Sequence, residues 1–158
     1  MSKTFDRQRQ TYTHTLLLAG RQWRRAANAV AEAHGLSDAT ALPLILIERL
    51  DGHPRQNALA EAVGIEGPSL VRLLDQLGAA GLIVRMEDPT DRRAKVLSLT
   101  PAGKTVVAQM EAELTKLRDA VFAEVDSADI EASLRVFQAI QRYSRNLPEG
   151  AVPEEAAE

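Results

Sequence analysis

Residues 56–83 read QNALAEAVGIEGPSLVRLLDQLGAAGLI, and two short helices are written into that stretch. The first runs Gln56–Val63 and stops at Gly64, the residue type that most readily ends a helix. Gly67-Pro68 opens the second, Pro68–Ala80, where a proline costs nothing because first-turn amides are unpaired anyway. Gly81 closes it. Ala60, Gly64 and Ile65 occupy the packing and turn positions of two helices that meet at a sharp angle, a helix-turn-helix. On the second helix Leu70, Leu73/Leu74 and Leu77 recur at three-to-four spacing and face inward. Pro68 starts that helix, and Ser69, Arg72 and Gln76 share its outward face.

Downstream the texture changes. Leu82–Met86 and Ala94–Leu99 are short runs of branched apolar residues that read as two strands. Between them Glu87-Asp88-Pro89-Thr90-Asp91-Arg92-Arg93 is a polar turn with two adjacent arginines. Thr100-Pro101 then caps a long helix with Val107, Met110, Leu114, Leu117, Val121 and Val125 on one face. Ser127 caps a last helix bearing Ile130, Leu134, Phe137 and Ile140. Upstream, Tyr12, Leu16, Ala19, Trp23, Ala26/Ala27 and Val30 form one stripe of a helix that ends at His34-Gly35. Ser37 caps a second helix through Leu50, which Pro43 is expected to kink or delay.

The fold class is therefore mainly α with a small β-hairpin: a winged helix-turn-helix (residues 37–101) flanked by long helices at 5–36 and 102–146. Residues 147–158, LPEGAVPEEAAE, read as a disordered acidic tail. Helices this long cannot hide their apolar stripes against so small a module. They need each other and a second copy of the chain, for which a symmetric homodimer is the commonest closed solution.

Composition narrows the function classes. The 158 residues carry a formal charge of −3, and no cysteine excludes disulfides, thiolate metal sites and thiol redox sensing. The charge is uneven: residues 1–36 hold six Lys or Arg against two acids, whereas 101–158 hold six against eleven. No apolar run approaches the ~20 residues of a membrane span, and the polar start lacks a signal-peptide core, so a cytoplasmic location is expected. His14, His34 and His53 fall in separate segments, and no metal site, cofactor motif, HExxH, GxSxG or GxxxxGK[ST] loop is present. Nothing here reads as an enzyme.

An exposed Ser and Arg early on a helix can reach base edges and phosphates in a major groove. Arginines at the tip of a hairpin suit a narrow, electronegative minor groove. Each has a plainer reading, a solvated surface arginine and a solvated charged turn. Asp91 is too short to serve DNA and reads instead as the acid that orients a neighbouring arginine.

GIEGPSLVRLLDQLGAAGLIVR followed by DRRAKVLSLT resembles the DNA-binding core of the MarR family, and most closely its SlyA branch. The shared pattern is Pro68-Ser69, Arg72, Gly81-Leu82-Ile83, Asp91-Arg92-Arg93 and Leu99-Thr100, and Arg21-x-Trp23-Arg24 is similar too. The resemblance implies a transcription regulator, a repressor, that binds double-stranded DNA as a homodimer on a pseudo-palindromic operator. It implies that Ser69 and Arg72 read the major groove, with Pro68 and Gln76 beside them among the DNA-binding candidates, that Arg93 enters the minor groove beside Arg92, and that Asp91 orients the wing arginine. It also implies release by a small aromatic carboxylate, for which Arg21, Trp23 and His53 are the candidate pocket residues. Trp23 lies on the apolar stripe and reads more readily as core. The rival reading is a winged helix that docks a protein rather than DNA.

Overall fold

The computed structural model describes residues 3–146, so the acidic tail expected at 147–158 lies outside the described residues. The element order is α1 (Lys3–Ala33), α2 (Asp38–Arg49), α3 (Gln56–Val63), α4 (Gly67–Ala79), β1 (Ile83–Glu87), β2 (Lys95–Leu99), α5 (Pro101–Val121) and α6 (Ser127–Arg145). The chain divides into two compact units, Met1–Leu117 and Arg118–Glu158.

In the first unit α2 is the centre, packed against α1, α3, α4 and β2. Its run Ala41-Leu42-Pro43-Leu44-Ile45-Leu46-Ile47 is nearly all apolar because neighbours cover it on several sides. Leu44 and Ile47 are fully buried there. Ser37 caps α2 by a reciprocal pairing with Thr40. Pro43 does not delay the helix: it sits buried inside α2, and the helix runs on to Arg49. Leu59 of α3, Leu70, Leu74 and Leu77 of α4, Ile83 and Leu97 of the hairpin and Val107, Met110 and Leu114 of α5 complete the core. Leu73, read as an alternative to Leu74, is only half-buried.

Two backbone devices set the angles. Gly64 ends α3 at φ +77°, the left-handed conformation that side chains resist, and its amide bonds Ala60 O at 2.9 Å. At the start of α5, Thr100 Oγ1 accepts the Gly103 amide at 3.0 Å and donates to Gly81 O at 2.6 Å. That pins α5 so close to β1's approach that a Cβ on Gly103 would lie 2.0 Å from Leu82 O.

The hairpin pairs antiparallel from Ile83–Leu99 at its base to Glu87–Lys95 at its outer end. The segment before α3 lies along its other side. Leu97 N–H donates to Pro54 O at 3.0 Å, and Arg55 bridges Val96.

In the second unit Asp126, not Ser127, takes the N-cap position of α6 with an extended backbone. No α6 residue is buried: Ile130 and Phe137 are half-buried, while Leu134, Ile140 and Tyr143 are exposed. The long helix stops at Val121, short of the Val125 expected on its stripe, and that stripe is buried only as far as Leu114, with Val121 and Val125 exposed. Among the described residues no single helix is long and apolar enough to cross a membrane; α1 and α2 pass such a test only together, across an 82° bend.

Candidate nucleic-acid interface

The core decides which way α4 faces. With Leu70, Leu74 and Leu77 buried, Pro68, Ser69, Arg72 and Gln76 are all left exposed. Arg72 carries no ion pair with any described residue, so its guanidinium is available. A positive, exposed side chain in the second turn of a helix whose other face is locked into a core can enter a groove.

Beside it, Arg85 of β1 reaches back to α4. Its Nη2 donates to Asp75 Oδ1 at 2.7 Å and to Val71 O at 3.2 Å. Recognition-face geometry and hairpin are thereby joined by one side chain. The sequence reading passed over Arg85, because nothing local says that a strand arginine will meet an acid ten positions earlier.

The hairpin turn carries the remaining candidates. Arg92 and Arg93 are exposed, the Arg93 side chain by 95%. Asp91 Oδ1 accepts the Arg93 amide at 3.0 Å and stands 3.7 Å from Arg93 Nε. The most buried acid of the turn is a different residue, Asp88. Its Oδ1 accepts the Thr90 amide at 2.7 Å and the Thr90 hydroxyl at 2.6 Å, and its Oδ2 accepts Arg55 Nε at 2.6 Å. The Thr90 hydroxyl, then its amide, and the Arg55 guanidinium hold the Asp88 carboxyl down at about 2, against partial burial that pushes it the other way.

Asp88 and Arg55 were absent from the residues singled out by sequence. Two signals existed. An aspartate two positions before Thr90 is a side-chain-to-backbone turn pattern. An arginine at the N-cap of α3, where Ser, Thr, Asp or Asn is usual, is an anomaly that a distant partner explains.

A cavity of about 340 Å³ opens between the turn and the start of α3, lined by Arg55, Gln56, Asn57, Asp91, Arg93, Ala94 and Lys95. None of Arg21, Trp23 and His53 lines it. Arg21 is exposed on α1, Trp23 is half-buried on the same helix, and His53 Nδ1 shares a 2.7 Å hydrogen bond with buried Ser98 Oγ. No group of three or more metal-ligating side chains occurs among the described residues.

A family profile described as the MarR family matches residues 34–94. A solved structure of a transcriptional regulator is 34% identical and superposes with a TM-score of 0.79, covering 86% of this chain and 99% of its own. A mutant of E. coli MarR complexed with operator DNA is 17% identical, with a TM-score of 0.71 over 81% of this chain and 91% of its own. Staphylococcus aureus MarR in complex with salicylate and kanamycin is 20% identical, with a TM-score of 0.77 over 92% and 97%. The last two are similar in fold.

Proposed function

The chain belongs to the MarR family of transcription regulators, and from that premise we propose that it is a homodimeric repressor that reads a pseudo-palindromic operator with α4 and the wing. The observation that carries this reading is the outward face of α4, with Ser69, Arg72 and Gln76 exposed while its leucines are buried. Arg72 and Ser69 read the major groove, Pro68 starts the helix beside them, and Gln76 extends the same face. Arg93, with Arg92 beside it, enters the adjoining minor groove, where narrow width concentrates negative potential. Residues 37–101 form the DNA-binding module, and 5–36 with 102–146 form the dimer region. The motifs around Pro68-Ser69 and Asp91-Arg92-Arg93 support a SlyA-like regulator, and a DNA-binding role supports a cytoplasmic location.

A salicylate complex is known for a protein of similar fold, which supports release by a small aromatic carboxylate. Arg21, Trp23 and His53 stay the candidate residues for it, with His53 already committed to Ser98.

The test is a fluorescence-anisotropy titration of the duplex upstream of this protein's own gene against a scrambled duplex, at two salt concentrations. Binding is expected to prefer the native duplex and to weaken steeply with salt, the log–log slope steepening by ~0.9 per phosphate neutralised. Arg72→Ala should cost ~1–3 kcal/mol on the native duplex and little on the scrambled one. Equal losses on both would remove base reading from Arg72, and weak, equal binding by the parent would favour the protein-docking reading.

A further inference from the structure

The outer third of the wing has no apolar anchor. At its base Ile83, Leu97 and Leu99 are buried, but the last rung pairs exposed Glu87 with exposed Lys95, and Val84 and Met86 are exposed as well. A two-stranded hairpin is at best marginally stable alone, so apolar packing does not set the direction of its tip. The buried residue at that end is Asp88, 7% exposed.

Asp88 is tied on three sides. Its carboxylate holds Arg55 and Thr90, Arg55 Nη2 also reaches Thr90 Oγ1 at 3.3 Å, and its amide donates to Ala94 O at 3.0 Å. The Asp91 amide then bonds Asp88 O at 3.3 Å, Asp91 O accepts the Ala94 amide at 2.9 Å, and Asp91 Oδ1 holds the Arg93 amide. Arg93 is thus connected to Asp88 through one turn of hydrogen bonds. Arg55 supplies the far end: it stands at the N-cap position of α3, which Gly64 joins to α4, while its guanidinium is turned to Asp88 and Thr90. Charge-assisted bonds of this kind are directional where apolar contact is not. The cavity between Arg93 and the start of α3 is the space into which an unpinned tip could swing.

We propose that Asp88 and Arg55 are positioning residues that set where the wing arginine, Arg93, stands relative to the recognition helix α4. The proposal rests on the DNA-binding reading above and deepens it: Asp88 and Arg55 act through Arg93.

A double-mutant cycle separates positioning from mere support of the fold. Binding to the preferred duplex is measured for the parent, Asp88→Asn and Arg55→Gln, each with and without Arg93→Gln. In the parent, Arg93→Gln is expected to weaken binding about tenfold. In either altered background it should cost less than about twofold, because the tip no longer delivers Arg93, while preference for the native over the scrambled duplex persists through Arg72. The same loss in all three backgrounds would overturn the proposal, as would no loss in the parent. Should Asp88→Asn fail to fold by circular dichroism, Arg55→Gln carries the cycle, since about half of that side chain is already in solvent. A parent that binds no duplex defeats the DNA-binding reading and the positioning role together; a parent that binds with an uncoupled cycle defeats the positioning role alone.

Discussion

Asp88 and Asp91 lie in one turn, three residues apart, and the chain uses them differently. The Asp91 side chain is 42% exposed and addresses Arg93, whereas the Asp88 side chain is 8% exposed and addresses Thr90 and Arg55. Adjacency to the arginine pair made Asp91 conspicuous in the sequence; Asp88, followed by a proline, reads only as turn punctuation. Its depressed acidity has a consequence for stability. A carboxyl held at about 2 against its ordinary 3.8 contributes stability that is present above about pH 4 and is lost as pH falls through about 2. The difference in melting temperature between the parent and Asp88→Asn should therefore be flat from roughly pH 5 to 8 and shrink between about pH 4 and 2. Thermal scans across that range decide it, and a gap that stays constant down to about pH 2 would contradict the charge-based account.

At the scale of elements, punctuation in the sequence settled most boundaries to within a residue. Gly64 and Pro68 bracket the turn between α3 and α4, and in the hairpin β1 is shifted one position along at both ends while β2 starts one position late. α2 departed from expectation. Pro43 is expected from sequence to kink or delay the helix, yet it lies buried within α2, and the packing of α1, α3, α4 and β2 around it sustains a helix that local preference alone disfavours. The start of α5 is a second place where packing overrides local preference. An alanine at position 103 would be the better helix former by ~1 kcal/mol, but its Cβ would meet the Leu82 carbonyl, which is backbone and cannot rotate away. Gly103→Ala is therefore expected to destabilise the chain by ~1–3 kcal/mol net, read as a lower urea midpoint. An unchanged or higher midpoint would mean that α5 can shift on the hairpin without cost.

For the whole molecule the informative residues are apolar and in water. Leu17 and Leu18 of α1 are exposed, and so, in the other unit, are Leu134, Ile140 and Tyr143 of α6. Scattered exposed leucines are ordinary, but a helix with no buried residue and a periodic apolar face needs a partner to justify that face. A second copy of the chain is the cover proposed here. Sedimentation equilibrium should report twice the 17.2 kDa chain mass for the parent and the single chain mass for a Leu134→Glu, Ile140→Glu variant. That variant should also lose operator affinity, because two half-sites no longer share one binder. A parent that sediments as a single chain would remove the homodimer from the mechanism.

The sequence by itself determined the order of the elements, the turn between α3 and α4, and the outward placement of Ser69, Arg72 and Gln76. Those follow from spacing along one helix or from residues that stop a helix, and neither needs a distant neighbour. Only the tertiary structure decided that Arg55 meets Asp88 across 33 positions, that Arg85 meets Asp75 across 10, and that Gly103 must stay glycine. Those pairings depend on the register of the hairpin and on how it lies against α3, α4 and α5. Register and packing come from burying Leu59, Leu74, Leu97 and Val107 in one core, and no local spacing encodes which charged side chains that burial brings within hydrogen-bonding distance.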